Sequence, residues 1–301
     1  VHQVLAFPQR ASLPEKLAIW RRYDLAFAAI PSDRARIFAW AAARNAVGFT
    51  TAEEASWLKR HLLKIAVPFD NLQTHTVTMG LRLVEALGLP TIGQVQTPRV
   101  PAENWHQRLE QLGLTGITNY VVIHPNPKFR YKMWDSNKWI TLICWLRQQG
   151  IEVLLTGSGD PSEAAYVRDI ASKVPEGCRC LTGLLSLAET AELLKGARLF
   201  VGPDTAVTHL AAATGIPTIA LFGPSNPVKW GPWPKDWPAS KSPWQFVGSK
   251  QQGNVRLMQG PGDCVPCLFE GCDRHLDSVS KCLQDISTER VINAAQEALS
   301  T

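Results

Sequence analysis

The sequence lacks several features that would each assign it to a functional class. Its 301 residues contain no run of about 18 apolar residues, which a membrane-spanning helix would need. Neither GxGxxG nor the P-loop pattern GxxxxGK followed by Ser or Thr occurs, so a dinucleotide fingerprint and a P-loop are not supported. The first residues, VHQVLAFPQR, show no signal-peptide layout, which favours a cytoplasmic protein.

Charge is also scarce, at 19% of residues, while hydrophobic residues make up 45%. This balance is ordinary for a folded globular protein and excludes a disordered one. The net charge of +5 is mildly basic, so it fits an anionic substrate, a membrane surface or nucleic acid and selects none of them. The length suffices for two domains.

Two regions with different patterns follow one another along the chain. In residues 1–96 short apolar runs alternate with helical patterns. They predict strands at 1–7, 23–30 and 46–49, of which the apolar strand at 23–30 would be buried, and helices at 12–23, 33–45 and 74–88. Residues 97–104 carry Pro and polar residues without periodicity and are predicted to form a linker.

Residues 105–301 form the second region, which alternates strands and helices more clearly. Strands are predicted at 120–125, 151–155, 178–183, 198–203 and 217–224, with amphipathic helices between them. Continuously apolar strands that alternate with helices indicate an α/β fold with a parallel sheet covered on both faces. Ligands of such sheets bind at the carboxyl ends of the strands.

Three polar segments fall at these predicted strand ends. GPDTAVTH (202–209) opens a helix with Asp204 or Thr205 as N-cap, and a helix N-terminus suits phosphate. HPNPKFRYKMW (124–134) carries Lys128, Arg130 and Lys132, which suggest a diphosphate, and TGSGDPSE (156–163) is a Gly-rich turn into a helix. Taken singly, each also fits a helix cap, a solvated loop or a plain connection between strand and helix.

Four of the seven cysteines cluster as Cys264-x2-Cys267-x4-Cys272-x9-Cys282. This spacing suits a tetrahedral metal site, although the flanking zinc-ribbon pattern is absent. The alternatives are structural thiols and disulfides that form only on oxidation. The remaining cysteines, Cys144, Cys178 and Cys180, are predicted to be buried small hydrophobes.

Several of these segments together resemble glycosyltransferase family 9, the ADP-heptose:lipopolysaccharide heptosyltransferases. GPDTAVTHLAAATGIPTIALFGPSNP resembles the family's donor motif D-T-G-x-x-H-L-A-A-A with a following F-G-P-T. Lys132, Trp134 and Trp139 match its K-x-W-P-x-x-x-W segment, and residues 183–194 match G-x-x-S-L-x-E-x-x-x-L-L. The resemblance covers most of the chain.

The resemblance implies a GT-B fold, in which two Rossmann-like domains face each other across a cleft. Residues 1–96 would form an incomplete acceptor-side domain, and residues 105–301 a donor-binding domain with a Cys-containing C-terminal segment. The implied reaction is inverting, metal-independent transfer of heptose from ADP-heptose to the lipopolysaccharide inner core. No cofactor is implied, and the implied partners are a nucleotide sugar, a lipid-linked core oligosaccharide and the inner membrane surface, but no nucleic acid.

The same resemblance assigns donor-binding roles. Lys132 and Arg130, with the N–H groups of Thr205 and Ala206, would hold the phosphates. Asp204 and His209 would lie near the sugar and diphosphate, Glu163 near the ribose, and the turn 182–186 near the base. The donor-binding set is Lys132, Arg130, Gly157, Ser158, Glu163, Gly183, Asp204, Thr205, Ala206 and His209.

The sequence departs from the family at three places. Ala206 stands where Gly is usual and Ser225 where Thr is usual. The family's N-terminal 60–70 residues, with the Asp held to be the general base, have no counterpart, so that base is expected upstream of Val1. The departures leave two alternatives, a GT-B transferase for another sugar nucleotide and a catalytically inactive nucleotide-sugar-binding protein.

On the acceptor side, residues 57–65, WLKRHLLKI, predict a helix with a basic side beside an apolar side. This pattern suits a membrane surface or an anionic glycolipid, and equally a helix that packs on its own domain. The predicted acceptor-binding residues are Ser32, Arg34, Lys59, Arg60 and Lys64.

Overall fold

The computed structural model describes residues 18–51, 61–174 and 176–300. The chain divides into two compact units, residues 1–93 and residues 94–301. The division lies three residues before the predicted end of the first domain. A helix that starts at Ala102 lies partly inside the predicted linker and belongs to the second unit.

The first unit is built on a parallel sheet of three strands in the order β1-β2-β3. These strands are Tyr23–Ala28, Ala43–Thr50 and Ile65–Pro68, and the helices are α1 (Asp33–Ala42) and α2 (Thr76–Glu85). Ser32 caps α1 by accepting a hydrogen bond from the Ala35 N–H. The core of the unit lies between β2, β3 and α2, where Phe49 and Met79 are buried.

Three predictions for the first unit were wrong. The helix predicted over 33–45 ends at Ala42, because Ala43 begins β2 and pairs with Tyr23 of β1. Strand β1 was predicted to be buried, yet its Tyr23 and Phe27 side chains are 44% and 43% exposed. Residues 18–21 form a turn where a helix was predicted.

The basic helix predicted over 57–65 is wrong at its C-terminal end, because Ile65 begins β3 and Lys64 lies in a bend before it. Its N-terminal part, with Lys59 and Arg60, lies outside the described residues. The strand predicted at 1–7 and the start of the helix predicted over 12–23 also lie outside them.

The second unit contains a sheet of seven strands in the order β6-β5-β4-β7-β8-β10-β9. All neighbouring strands pair in parallel except β9, which pairs antiparallel with β10. The strands β4 to β10 are Tyr120–Ile123, Glu152–Leu155, Cys178–Cys180, Leu199–Pro203, Thr218–Phe222, Lys250–Gln252 and Val255–Gln259. The predicted parallel sheet is therefore confirmed, and β9 and β10 extend it beyond the last predicted strand.

The helices of the second unit connect most of these strands. The helices α3 to α10 are Ala102–Gln111, Ser136–Gln148, Pro161–Ser172, Leu187–Lys195, Ala206–Thr214, Pro227–Trp230, Lys281–Gln284 and Thr288–Leu299. Helix α6 begins with the capping box of Ser186 and Glu189, and α7 ends at Gly215, whose φ of 93° suits glycine. No helix among the described residues is both long enough and apolar enough to cross a bilayer.

Both faces of the seven-stranded sheet are covered, as alternate residues of β4 show. Val121 and Ile123 pack into a core with α4, α5 and α10. Tyr120 and Val122 pack into a second core with α6 and α7 on the opposite face. This arrangement explains why the strand is apolar at every position, since neither face meets water.

The strand order reverses between β4 and β7. From β4 the chain proceeds outward through β5 to β6, then returns to place β7 on the other side of β4. A crevice forms at the carboxyl ends of strands at such a reversal, and it is the usual ligand position in open α/β sheets. The segments after β4, β5 and β7 are the three polar segments noted in the sequence.

Candidate active site

A cavity of about 710 Å³ lies at the carboxyl ends of β4, β5 and β7. It is lined by segments that follow each of these strands and by the start of α6 and α7. The lining residues are His124, Asn126, Lys128, Phe129, Lys132, Thr156, Gly157, Ser158, Gly159, Glu163, Leu185, Leu187, Thr190, Asp204, Thr205, Ala206, Val207 and His209.

An ion pair joins the segments after β4 and β7. The Nζ of Lys132, in a short 3-10 helix over Arg130–Lys132, lies 2.7 Å from the Oδ2 of Asp204. Ser225, which follows β8, donates its hydroxyl to the same oxygen at 2.8 Å. The Asp204 side chain is only 9% exposed, so these two partners supply the compensation that a buried carboxylate requires.

The start of α7 faces the same cavity. Thr205 is its N-cap, since the Thr205 Oγ1 accepts a hydrogen bond from the Thr208 N–H, which decides between the two caps considered from the sequence. Asp204 is thereby free to pair with Lys132. The first N–H groups of a helix lack partners within the helix and carry partial positive charge, so this end suits an anion.

His209 lies one turn into α7, with its Nε2 4.0 Å from the Oδ1 of Asp204. Desolvation lowers the pKa of His209; Asp204 opposes this shift and Lys132 adds to it. The lowered pKa favours the neutral imidazole, which can exchange hydrogen bonds with a ligand without adding charge.

A second histidine lies deeper at the same strand ends. The Nδ1 of His124, directly after β4, is 3.0 Å from the Oγ1 of Thr156, directly after β5. Both side chains are buried, and desolvation lowers the pKa of His124 to about 4. His124 is therefore a neutral hydrogen-bonding group that ties the two segments together.

The Gly-rich turn after β5 is shaped by close backbone approach. A Cβ on Gly157 would lie 2.9 Å from Thr182 Cγ2, and Gly183 has a φ of 74° and approaches Gly159. Asp160 caps α5 by accepting from the Ser162 and Glu163 N–H groups, and Ser158 donates its hydroxyl to the Glu163 carboxylate. The turn thus presents the Ser158 hydroxyl and the Glu163 carboxylate at the cavity.

Comparison with known proteins places this site in a family. The model of glycosyltransferase family 9 (heptosyltransferase) matches residues 15–255. The chain belongs to glycosyltransferase family 9. The sequence resemblance is confirmed by a match that includes every segment lining the cavity.

Curated relatives of this family 9 chain are lipopolysaccharide heptosyltransferases. It is 33% identical over 187 residues to lipopolysaccharide heptosyltransferase 3 of Escherichia coli, covering 60% of this chain and 53% of that protein. It is 30% identical over 173 residues to lipopolysaccharide heptosyltransferase 1 of Pseudomonas aeruginosa, covering 57% of this chain and 42% of that protein. The chain thus spans about half the length of the curated relatives it matches.

Solved structures confirm the fold of the family 9 chain. The structure of E. coli ADP-heptose lps heptosyltransferase II matches with a TM-score of 0.70 and 20% identity, covering 95% of this chain and 80% of that one. E. coli heptosyltransferase WaaC with ADP matches with a TM-score of 0.63 and 20% identity, covering 95% and 76%. The predicted α/β fold of the GT-B type is therefore correct.

Most of the donor-binding residues predicted for this family 9 chain line the cavity, although their roles remain predictions. The structure brings together Lys132, Gly157, Ser158, Glu163, Asp204, Thr205, Ala206 and His209. Arg130 and Gly183 are not among the lining residues. Arg130 is exposed, and the Gly183 N–H donates a hydrogen bond to the Gly157 carbonyl. His124, Thr156 and Phe129 also line it and were not predicted to bind the donor, although His124 lies near the end of a predicted strand, Thr156 directly after one and Phe129 among the loop cations.

The acceptor-binding residues predicted from the sequence lie in the first unit. The Ser32 hydroxyl caps α1, the Arg34 guanidinium lies 5.6 Å from the Phe38 ring centroid, and the Lys64 Nζ donates to Asn45 Oδ1 at 2.7 Å. Lys59 and Arg60 lie outside the described residues. These acceptor assignments stay predictions.

The clustered cysteines lie on the segment between β10 and α10 and are not among the residues that line the cavity. Cys264 and Cys272 are exposed and Cys282 is buried, and all are free thiols. Burial, with a smaller contribution from the neighbouring thiols, raises the pKa of Cys282 to about 11. Within the described ranges, no three His, Cys, Asp or Glu side chains are arranged to hold a metal ion.

The cysteine-bearing segment also contacts both sides of the Lys132–Asp204 ion pair. Ser280 donates its hydroxyl to the Tyr131 carbonyl at 2.6 Å, next to Lys132. The Leu268 N–H donates to the Pro224 carbonyl at 3.0 Å, next to the Ser225 that binds Asp204. The backbone positions of Lys132 and Ser225 are therefore fixed in part from this segment.

Proposed function

We propose that this protein transfers heptose from ADP-heptose to the inner core of lipopolysaccharide, with inversion at the anomeric carbon and without a metal ion. The observation that carries the proposal is the Lys132–Asp204 ion pair beside the N-terminus of α7, at the strand reversal of a family 9 chain. The lipopolysaccharide heptosyltransferases among its relatives support heptose as the sugar, and the ADP in the structure of E. coli heptosyltransferase WaaC supports adenine as the base.

The chemistry requires that negative charge developing on the departing diphosphate be stabilised. In the proposed reaction an acceptor hydroxyl oxygen attacks the anomeric carbon from the face opposite the diphosphate, and the bond to the phosphate oxygen breaks as the new bond forms. ADP leaves with the electron pair. Lys132 and the N–H groups of Thr205 and Ala206 are preorganised for that charge, which is the arrangement that lowers such a barrier most.

The same groups make a metal ion unnecessary in this proposal. An ammonium and a helix N-terminus supply positive charge where divalent cations supply it in other nucleotide sites. Asp204 and His209 are proposed to contact the sugar and diphosphate, Glu163 the ribose hydroxyls, and the turn 182–186, with Leu185 at the cavity, the base. The proton of the acceptor hydroxyl is proposed to pass to an Asp upstream of Val1.

The proposed acceptor is a lipid-linked core oligosaccharide, which the protein would meet in the cytoplasm at the inner membrane surface. The net charge of +5 supports encounter with such an anionic glycolipid. Nucleic acid is not a proposed partner.

The deciding experiment is calorimetric titration with ADP, UDP and GDP, with and without EDTA, followed by mass spectrometry of a truncated lipopolysaccharide acceptor incubated with ADP-heptose. Tightest binding of ADP, unchanged by EDTA, and addition of one heptose are expected. Tighter binding of UDP or GDP would mean that the donor carries uracil or guanine in place of adenine. Binding of ADP without turnover would indicate a nucleotide-sugar-binding protein. An EDTA effect reversed by magnesium would overturn metal independence.

A further inference from the structure

The described charged side chains that line the cavity are two lysines and two carboxylates, Lys128, Lys132, Glu163 and Asp204. Their formal charges cancel, the pKa of about 4 keeps His124 neutral at pH 7, and the lowered pKa of His209 favours its neutral form. Lys132 is committed to Asp204, whereas Lys128 makes no ion pair or hydrogen bond within the described part of the chain. Among the described residues Lys128 is therefore a cavity cation without an ion-pair partner, and Glu163, which accepts from Ser158, is a cavity carboxylate without one.

The ammonium of Lys128 lies over an aromatic ring, and so does that of Lys132. The Nζ of Lys128 is 5.5 Å from the ring centroid of Phe129, and the Nζ of Lys132 is 5.8 Å from the ring centroid of Tyr131. The two rings stack with centroids 5.7 Å apart and planes inclined by 11°. Cation–π attraction restricts where an ammonium moves, so the stacked rings hold two ammonium groups at the rim of one cavity.

A nucleotide-sugar donor brings two negative charges on its bridging diphosphate, and free ADP brings at least as many. The Lys132–Asp204 pair contributes no net charge to meet them, so Lys132 offers its hydrogen bonds while Asp204 cancels its field at longer range. We propose that Lys128 supplies the unpaired positive charge that binds the phosphates of the nucleotide donor, and that Phe129 positions it there. This proposal rests on the proposed function and adds a second phosphate-binding cation to it.

Exposure of Lys128 fits this role. The side chain is exposed at the cavity rim and the Phe129 ring is half-buried, so the ammonium stays hydrated until a ligand arrives. Binding an anion then costs little desolvation of the lysine, and the ring limits the rotamer entropy lost when the lysine is fixed. The contribution should depend on the number of phosphates rather than on the base.

The test compares adenosine, AMP and ADP by calorimetric titration against the wild type and Lys128→Gln. For Lys128→Gln the dissociation constant for ADP should rise about 5- to 20-fold, less than for loss of a fully buried charge-assisted hydrogen bond, because water screens the exposed ammonium. Adenosine affinity should not change, and the dependence of ADP affinity on salt should flatten. Lys128→Arg should retain ADP binding. The charge-matched control is Lys173→Gln. In the wild type the Lys173 ammonium pairs with Asp169 of α5 on the protein surface.

The positioning part is tested by a double-mutant cycle with Phe129→Leu. In the wild-type background Phe129→Leu should weaken ADP binding two- to fivefold and leave adenosine binding unchanged, because only the cation–π contact with the Lys128 ammonium is lost. In the Lys128→Gln background Phe129→Leu should change neither ADP binding nor adenosine binding. Equal weakening of adenosine would show instead that the ring contacts the nucleoside and would overturn the positioning role.

Two failures remain distinguishable in this design. If the wild type binds neither ADP nor AMP, the proposed function itself is wrong. If the wild type binds ADP and folded Lys128→Gln binds it equally well at low and high salt, the inference about Lys128 is wrong while the proposed function stands.

Discussion

The ammonium of Lys132 and the carboxylate of Asp204 meet at 2.7 Å across 72 positions of sequence. They meet because β4 and β7 are neighbours in the sheet although two strands and three helices separate them along the chain. A buried ion pair contributes little net stability, because desolvation offsets most of the attraction. Its value here is geometric, since it fixes a cation beside the N-terminus of α7.

Replacing Lys132 with Met should weaken ADP binding and also lower the stability of the fold, because it removes one of the two partners of the nearly buried Asp204 carboxylate. The variant loses a cation and leaves the Asp204 carboxylate facing the phosphates, so the dissociation constant for ADP should rise about 10- to 100-fold. Calorimetric titration measures this, with Lys173→Met as a control on the exposed surface of α5. Unchanged ADP affinity in the folded variant would remove Lys132 from the phosphate site.

His124 should make stability depend on pH. Burial depresses its folded pKa to about 4, below the unfolded value of 6.5, so the unfolded state binds more protons between these values. The stabilisation is fully present above pH 6.5 and is lost as pH falls towards 4, by about 3 kcal/mol in total. Urea unfolding at pH 7 and pH 4.5 should show that the wild type loses more free energy of unfolding than His124→Gln. Equal losses would mean that His124 titrates normally.

The clustered thiols should differ in reactivity. Cys264 and Cys272 are exposed and should react with a maleimide reagent within minutes at pH 7.5, whereas Cys282 is buried with a pKa near 11 and should react only after unfolding. Cys178, whose pKa burial raises to about 12, is the internal control for slow reaction. Mass spectrometry of the alkylated peptides measures the order. Protection of all four clustered cysteines would point to a bound metal ion or to disulfides.

Charge reversal on the first unit tests the predicted acceptor side. Changing Lys59, Arg60 and Lys64 to Glu should raise the KM for the lipid acceptor at least tenfold, since each basic residue near an anionic surface contributes about 1 kcal/mol. The salt dependence of that KM should flatten, while the KM for the sugar nucleotide stays the same. Lys173→Glu on the second unit is the control. Equal acceptor kinetics at low salt would leave these residues a role in packing alone.

Local sequence was sufficient for strands β4 to β8 of the second unit because its signals agree with one another. Residues 120–123 are apolar at every position, as a doubly covered strand requires, and Ser186 and Gly215 mark helix ends by backbone chemistry alone. Predictions failed where distant partners decide. Residues 43–45 leave the predicted helix because β1 offers them strand partners. The sequence left the N-cap of α7 open between Asp204 and Thr205, and the structure decides for Thr205 while Asp204 pairs with Lys132.

The other features that the sequence did not predict also depend on contacts between distant segments. Strand β10 contains polar residues at its second and fifth positions and follows a turn, so its place beside β8 is visible only from the pairing of Val255 with Thr218. His124 and Thr156 occupy strand ends, where polar residues are expected, but their mutual contact depends on the register of β4 and β5. Sequence thus located the candidate site, and tertiary pairing determined which side chains complete it.

Both ends of the seven-stranded sheet are closed by strands of three residues, β6 and β9, and the latter begins with Lys250. An open strand edge exposes unpaired N–H and C=O groups on which another chain can add a strand, and short or charged edges suppress such growth. The second unit therefore presents little template for the intermolecular β-structure that leads to aggregates, which lets it keep a long, apolar, parallel interior without becoming prone to aggregation.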